Sequence, residues 1–298
     1  MIDSGFGSEA LAMMDTIEAA GTHPRDLQCV ANTHYHVDHV GGNAALQREH
    51  GVRIAAHRHD ALMINAADPD ACCATWLDQP VEQYQVNVYL QAGMVLETGT
   101  LAVQVLATPG HTLGHLSYLV EDGTLVAGDL FYEDDIATLV PFREGAGAIY
   151  RLIDTLHMLT DSPIEIKRVM SGHGPLITKP YEAIDRALAR LDRWLLDPSK
   201  AAWHAMKRAA AYRLMVAGSQ PRALLEAYLA GTFWLNDYAK YVFEIPADTL
   251  SAQLCDELLR SGAVREQGGV LASTAEVRDV PSAWLKSVPP VRAWKARL

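Results

Sequence analysis

Between Thr33 and His39 the chain reads Thr-His-Tyr-His-Val-Asp-His, so four side chains able to bind a metal, His34, His36, Asp38 and His39, fall within six positions. The stretch leading into them, Leu27 to Thr33, reads as a short buried strand. In an extended exit from that strand His34 and His36 point the same way, because side chains alternate. Asp38 and His39 then stand where the chain enters a helix read over Gly42 to His50, with Gly41-Gly42 giving room for the turn. Neutral imidazoles and carboxylates are good zinc donors. One histidine alone would read as an ordinary satisfied side chain; four donors at this spacing read as a metal site.

Three later segments repeat one design. A strand at Leu101–Leu106, with apolar residues at alternate positions, is broken by Thr108-Pro109-Gly110 and leads to His111. Leu116–Val120 and Thr124–Ala127 read as a hairpin across Glu121-Asp122-Gly123 and lead to Gly128-Asp129. A strand at Ile166–Met170 leads to Ser171-Gly172-His173-Gly174-Pro175. Each places one donor just past the carboxyl end of a strand, where α/β proteins put their sites. A glycine beside each donor lets backbone come close to a metal.

The remaining punctuation completes an α/β pattern. Ser8 can cap a helix carrying Leu11, Met14 and Ile17 that ends at Gly21, and Val52–Ala56 reads as a strand. Ile149, Leu152, Ile153, Leu156 and Leu159 mark a helix. Strands alternate with helices and hairpins are mixed in, which predicts a mixed sheet system with helices outside. Beyond about residue 180 the texture turns helical, at 181–196, 203–217 and 221–230, with Pro221 at a first helical position. A further helix, capped by Thr249, carries Leu250, Leu254, Leu258 and Leu259 and ends at Gly262. A small hairpin follows, Ala263–Arg265 with Val270–Ala272 across Gln267-Gly268-Gly269. Helices followed by such a hairpin resemble a winged helix. The tail 287–298, basic and with prolines at its start, reads as a solvated arm. The expected division is a catalytic domain over 1–195 and a helical, winged-helix-like region over 196–298.

The motifs His-x-His-x-Asp-His, Pro-Gly-His, Gly-Asp and Gly-His-Gly-Pro, in this order, resemble the metallo-β-lactamase-fold superfamily over about residues 1–180. The resemblance implies an α/β fold of the αβ/βα four-layer sandwich type with its site between two sheets. It implies two divalent metal ions, zinc by expectation, although His and Asp serve manganese and iron as well. By motif match His34, His36 and His111 would take one ion; Asp38, His39 and His173 the other; Asp129 would bridge them. A metal-activated hydroxide would attack the scissile bond, and Asp38 would orient it or accept its proton. Tyr132, three residues after Asp129, has the spacing seen in acyl-homoserine lactonases and could donate its hydroxyl to a developing oxyanion. His115 reads as a residue that orients a ligand or loop. His57 and His59 read as ordinary surface side chains. Family members usually carry two strands before a segment like Ile2-Asp3-Ser4-Gly5. This chain starts inside it, so a truncated first sheet with an exposed strand edge is expected.

These readings predict a metal-dependent hydrolase of a small ester, thioester or lactone, with residues 57–100 forming much of the pocket wall and Trp76, Tyr84 and Tyr89 as apolar contacts. Asp129 disfavours β-lactam hydrolysis. Glyoxalase II usually ends its last ligand loop Gly-His-Glu, where this chain has Gly-His-Gly-Pro. The alternatives are a mononuclear iron enzyme oxidising a persulfide, a phosphodiesterase or endoribonuclease-like hydrolase, and a non-catalytic binding protein using the wing-like region. Charge weighs against nucleic acid. Residues 1–150 hold 5 Lys+Arg against 20 Asp+Glu, within a net charge of −11, and an acidic surface repels a polyphosphate. The C-terminal region therefore reads first as a packing or dimerisation appendage, with a homodimer in view. No apolar run approaches a membrane span, and the first residues show neither a basic nor an apolar leader. The four cysteines, Cys29, Cys72, Cys73 and Cys255, form no framework, and buried free thiols are the reading for Cys72-Cys73. Together these point to a cytoplasmic enzyme of a small-molecule substrate.

Overall fold

The structure is a computed structural model that describes residues 1–7, 10–68, 70–77 and 81–274. Ser8, read as a helix cap, and the tail 287–298 lie outside the described residues. Two sheets face each other. The smaller is parallel, in the order β1 (Cys29–Ala31), β2 (Arg53–His57), β3 (Val88–Leu90). The larger has the order β4 (Val95–Glu97), β5 (Ala102–Ala107), β6 (Leu116–Val120), β7 (Thr124–Gly128), β8 (Arg168–Ser171). Its pairs are antiparallel except β7 with β8.

Alternation along the strands decides the layers. On β1 and β2, Val30, Ile54 and Ala56 pack outward under α1 (Ala10–Ala19), α3 (Asn43–His50) and α4 (Arg58–Asn65). Ala31 and Ala55 point the other way, against Val103, Val105, Leu116 and Tyr118 of the larger sheet. After the short helices α5 (Ala74–Leu77) and α6 (Pro141–Glu144), that sheet's outer face is covered by α7 (Ala148–Asp161) and α8 (Pro180–Leu196). Ile149, Leu152, Leu156 and Leu159 recur at helical spacing, and each is 5% exposed or less. Burying such a side chain contributes about 1.5–3 kcal/mol. The result is the expected αβ/βα sandwich.

Several expectations change in detail. The strand read over 27–33 shortens to Cys29–Ala31, because the N–H of Thr33 turns from the ladder to the Asp3 carboxylate at 2.7 Å. The edge of β1 is not bare. Ile2 bridges Ala31 in parallel, with Ala31 N–H donating to Met1 O and Asp3 N–H to Ala31 O. Gly41 and Gly42 form the turn between α2 (Val37–Val40) and α3, as expected, but in right-handed conformations open to any residue. Glycine is required there by close approach, since a Cβ on Gly41 would sit 2.0 Å from Gly7 N and one on Gly42 2.7 Å from Ser4 O.

After α8 come α9 (Ser199–Ala217), β9 (Gln220–Pro221), α10 (Arg222–Ala230), α11 (Phe233–Tyr238), α12 (Ala247–Arg260) and the hairpin β10 (Val264–Gln267) and β11 (Val270–Ser273). β9 joins that hairpin as a third strand. Thr249 lies inside α12 rather than capping it; the helix starts directly after the extended Pro246. Pro221 stands one position earlier than expected, paired in β9 and preceding α10. The cysteines are free, with Cys72, Cys73 and Cys255 buried. Among the described residues no helix is long and apolar enough to cross a membrane.

Candidate metal centre and its pocket

All seven predicted donors meet at the carboxyl ends of β1, β5, β7 and β8. One set is His34, His36 and His111; the other is Asp38, His39, Asp129 and His173. Within each set the donor atoms lie within 4.8 Å of one another. Asp129 stands between them. Its Oδ2 is 3.8 Å from His111 Nε2, while its Oδ1 is 3.4 Å from His39 Nε2 and 3.8 Å from His173 Nε2. Asp38 Oδ2 reaches His173 Nε2 at 2.9 Å.

Outer partners fix which ring nitrogens face inward. His111 Nδ1 is 2.6 Å from the Thr138 carbonyl, which can only accept, so that nitrogen holds the proton and Nε2 turns a lone pair toward the site. His39 Nδ1 donates to Asp3 Oδ2 at 2.8 Å. The Thr33 hydroxyl donates to the same Asp3 oxygen at 2.7 Å and so accepts from His34 Nδ1 at 3.0 Å. His34 Nε2, His39 Nε2 and Asp129 Oδ1 are buried without a hydrogen-bond partner. Unsatisfied buried acceptors are costly, and converging lone pairs with oriented outer nitrogens are the arrangement a metal cation satisfies. The residues fit two cations.

Electrostatics separates the two sets: the first keeps its imidazoles neutral, and the second, rich in carboxylate, favours a proton on His39 that a bound cation would replace. Burial, with neighbouring imidazoles, holds His34 well below its ordinary value and brings His36 down to about 3, so both stay neutral and able to ligate. Burial would lower His39 too, but Asp129, Asp38 and Asp3 outweigh it and raise it. Burial would raise Asp38, yet His39 and His173 bring it down to about 2.

Local structure explains the convergence. Gly172 follows β8, and a Cβ there would lie 2.3 Å from Asp129 Oδ1 and 2.6 Å from His39 Cε1. His115 is not a donor. Its Nε2 accepts the Asp129 N–H at 3.1 Å and its Nδ1 donates to Thr108 Oγ1 at 2.9 Å, which holds the Asp129 backbone in place. His57 accepts from His59 N–H at the start of α4, and His59 pairs with Asp60. Asp3 was legible only as part of a family landmark; nothing in its spacing announces the hydrogen bonds it makes to Thr33 and His39.

Above the donors lies a cavity of about 490 Å³. Tyr132 lines it beside Asp129 and His173, its ring 6.0 Å from that of His173. Burial and the Asp129 carboxylate push its phenol well above the ordinary value. The wall differs from the one expected over residues 57–100. Trp76 lines the cavity. Tyr84 is buried in the core beneath the smaller sheet, and Tyr89 is half exposed on β3, where its neighbour Leu90 takes the inward position. Much of the wall comes instead from α9 and α11, through Ala205, Arg208, Ala209, Tyr212, Met215 and Trp234. The C-terminal region is therefore a roof over the site, a role neither the packing nor the nucleic-acid reading foresaw.

Residues 1–173 match the family model of the metallo-beta-lactamase superfamily. The chain belongs to that superfamily. Among its relatives, a hydroxyacylglutathione hydrolase of Rhodobacter capsulatus is 33% identical over 208 residues, covering 70% of this chain and 68% of that protein. Proteins of the same name from Rhodopseudomonas palustris and Acidiphilium cryptum are 42% identical over 135 residues and 32% over 125, covering 45% and 42% of this chain. Against these two the superfamily member spans about two fifths of the relative's length, 41% and 42%. A metallo-beta-lactamase family protein of Thermus thermophilus matches in structure with a TM-score of 0.53 at 20% identity, covering 91% of this chain and 89% of that one. A metallo-beta-lactamase of Cronobacter sakazakii matches with a TM-score of 0.52 at 22% identity, covering 67% and 83%. At these identities the likeness shows the fold alone, and the first match extends it well into the roof.

Proposed function

We propose that this chain is a binuclear metal-dependent hydrolase of a small thioester. The observation that carries the reading is Asp129: its Oδ2 faces His111 of one donor set and its Oδ1 faces His39 and His173 of the other, and Oδ1 and His39 Nε2 are buried without a hydrogen-bond partner. His34, His36 and His111 would hold one ion, Asp38, His39 and His173 the other, with Asp129 shared. Zinc suits these donors. When bound, two such ions supply a water ionised near neutral pH and a Lewis acid for the scissile carbonyl. Asp38 sits at the cavity wall, placed to orient the attacking water or take its proton. Tyr132, kept protonated, is a hydrogen-bond donor for negative charge developing on the carbonyl oxygen. Residues 1–195 would form the catalytic part and the helices from 196 onward its roof. The thioester part rests on the names of the relatives, and Gly-His-Gly-Pro departs from the Gly-His-Glu usual in glyoxalase II.

Metal content and turnover test the reading together. Purified protein loaded with zinc should hold close to two ions per chain and hydrolyse thioesters. Tyr132→Phe should keep both ions and lose about 10²-fold in kcat. One iron per chain with no hydrolysis would overturn it.

A further inference from the structure

Away from the donors, the cavity wall is mainly apolar, with Trp76, Leu77, Val140, Tyr212, Met215 and Trp234. Aromatic rings back it, with Phe142 5.0 Å from Tyr238 and 6.2 Å from Trp76, centroid to centroid. Three charged side chains also reach the wall, and each is paired within the protein: Arg208, Arg143 and Glu144, whose carboxylate accepts from the Tyr35 hydroxyl at 3.2 Å and the Leu113 N–H at 3.1 Å. Arg208 donates to Asp135 at 2.6 Å and lies 5.1 Å from the Tyr132 ring centre. Arg143 is 3.5 Å from Asp70 and 5.1 Å from the Trp76 ring centre.

From this we infer that the compartment receives a bulky apolar group of the substrate, aromatic by preference, and that a glutathione-like peptide is not what it is shaped to hold. The inference rests on the thioester reading and narrows it. A peptidic thiol would bring carboxylates, an ammonium and amides largely against Trp, Leu and Met side chains, where a polar group loses water without gaining a partner, and the two guanidiniums within reach are already paired with Asp135 and Asp70. An aromatic ring there gains contact and offset stacking. The same chemistry could sit on the acyl side or on the thiol side of the bond, and the substrates below separate the two.

The test uses zinc-loaded enzyme and four thioesters: phenylacetyl on a small neutral thiol, acetyl on an aromatic thiol, acetyl on the small thiol, and lactoyl on glutathione. One of the aromatic pair should exceed the matched acetyl compound by at least about tenfold in kcat/KM, mostly through KM, and should exceed lactoylglutathione. Which one does so names the side. Met215→Glu, with Tyr212→Ser as a second variant should the first fail to fold, should shrink that preference about tenfold. Lactoylglutathione matching or beating both aromatic substrates overturns the inference. If no thioester is turned over, the hydrolase reading fails, and binding decides this claim separately. A non-hydrolysable aromatic thioether should change the fluorescence of the wall tryptophans saturably in the metal-free protein, and less tightly in Met215→Glu. No saturable change would sink it.

Discussion

The floor and the roof of the cavity are built by different physics. The floor is polar and closely held: His34, His39, His111 and Asp129 each have a hydrogen-bond partner outside the donor set, as Asp3 holds His39, and Gly172 admits Asp129 by close approach. The roof is apolar and held mainly by side-chain packing of α9 and α11 within their own core. A polar site with oriented partners tolerates little displacement, whereas an apolar wall can be re-shaped by volume-conserving changes. Floor substitutions should therefore lower turnover of every substrate alike, and roof substitutions should re-rank substrates.

The contrast predicts its largest effect at Asp129. Asp129→Ala removes the carboxylate shared by both donor sets. It should cost at least about 10³-fold in kcat, several kcal/mol of barrier, with every substrate tested. Metal analysis should show fewer than two ions per chain. A variant with full metal content and substrate-dependent losses would erase the distinction drawn between floor and roof.

Gly172→Ala is the sharper steric test. The backbone there needs no left-handed conformation, so the added methyl acts only by contact with Asp129 and His39. Metal affinity should fall about 10–100-fold, the range lost when a ligand's support is disturbed, with little change in thermal stability of the metal-free protein. Unchanged affinity by competitive chelator titration would mean that the loop yields freely.

The two regions were not equally legible in the sequence. Donors sit at strand ends marked by glycine and proline, so periodicity and punctuation located His111, Asp129 and His173 without knowledge of the fold. The roof carries no such mark. Ala205, Arg208, Ala209 and Tyr212 recur at positions 0, 3, 4 and 7 of a helix, the same stripe any packed helix shows. Only tertiary placement, across more than thirty residues from the nearest donor, turns that stripe toward the metals. Tyr84 and Tyr89 misled for the converse reason: an aromatic in a segment near the site has no address until strand register is known. Asp3 lay in between, because its role depends on a hydrogen bond 36 residues away in sequence.

Asp3→Ala should have a smaller effect than either floor change above. It removes the acceptor that orients His39 Nδ1 and the Thr33 hydroxyl, but leaves all seven donors. Affinity for the second ion should fall about tenfold while KM for any turned-over substrate stays near its original value. A raised KM with unaltered metal binding would place Asp3 with the roof instead.

The smallest expected effect lies at the seam joining the two regions. Asp135 accepts from Arg190 and His204 at 3.1 Å and from Arg208 at 2.6 Å, and its carbonyl receives the Tyr132 N–H at 2.8 Å. Burial would raise its carboxyl, but His204 and Arg208 draw it well below the ordinary range. A depressed carboxylate contributes stability that is complete above its unfolded pKa, about 3.9, and is lost as pH falls toward the folded value. Asp135→Asn should therefore lower stability by about 1 kcal/mol, or a few degrees in Tm, between pH 5 and 7. The gap to the unsubstituted protein should narrow progressively as pH falls below about 4. Because Arg208 also lies over Tyr132, the same variant should alter kcat modestly for all substrates while shifting their ranking. A ranking left unmoved would show that roof and floor are coupled in stability but not in recognition.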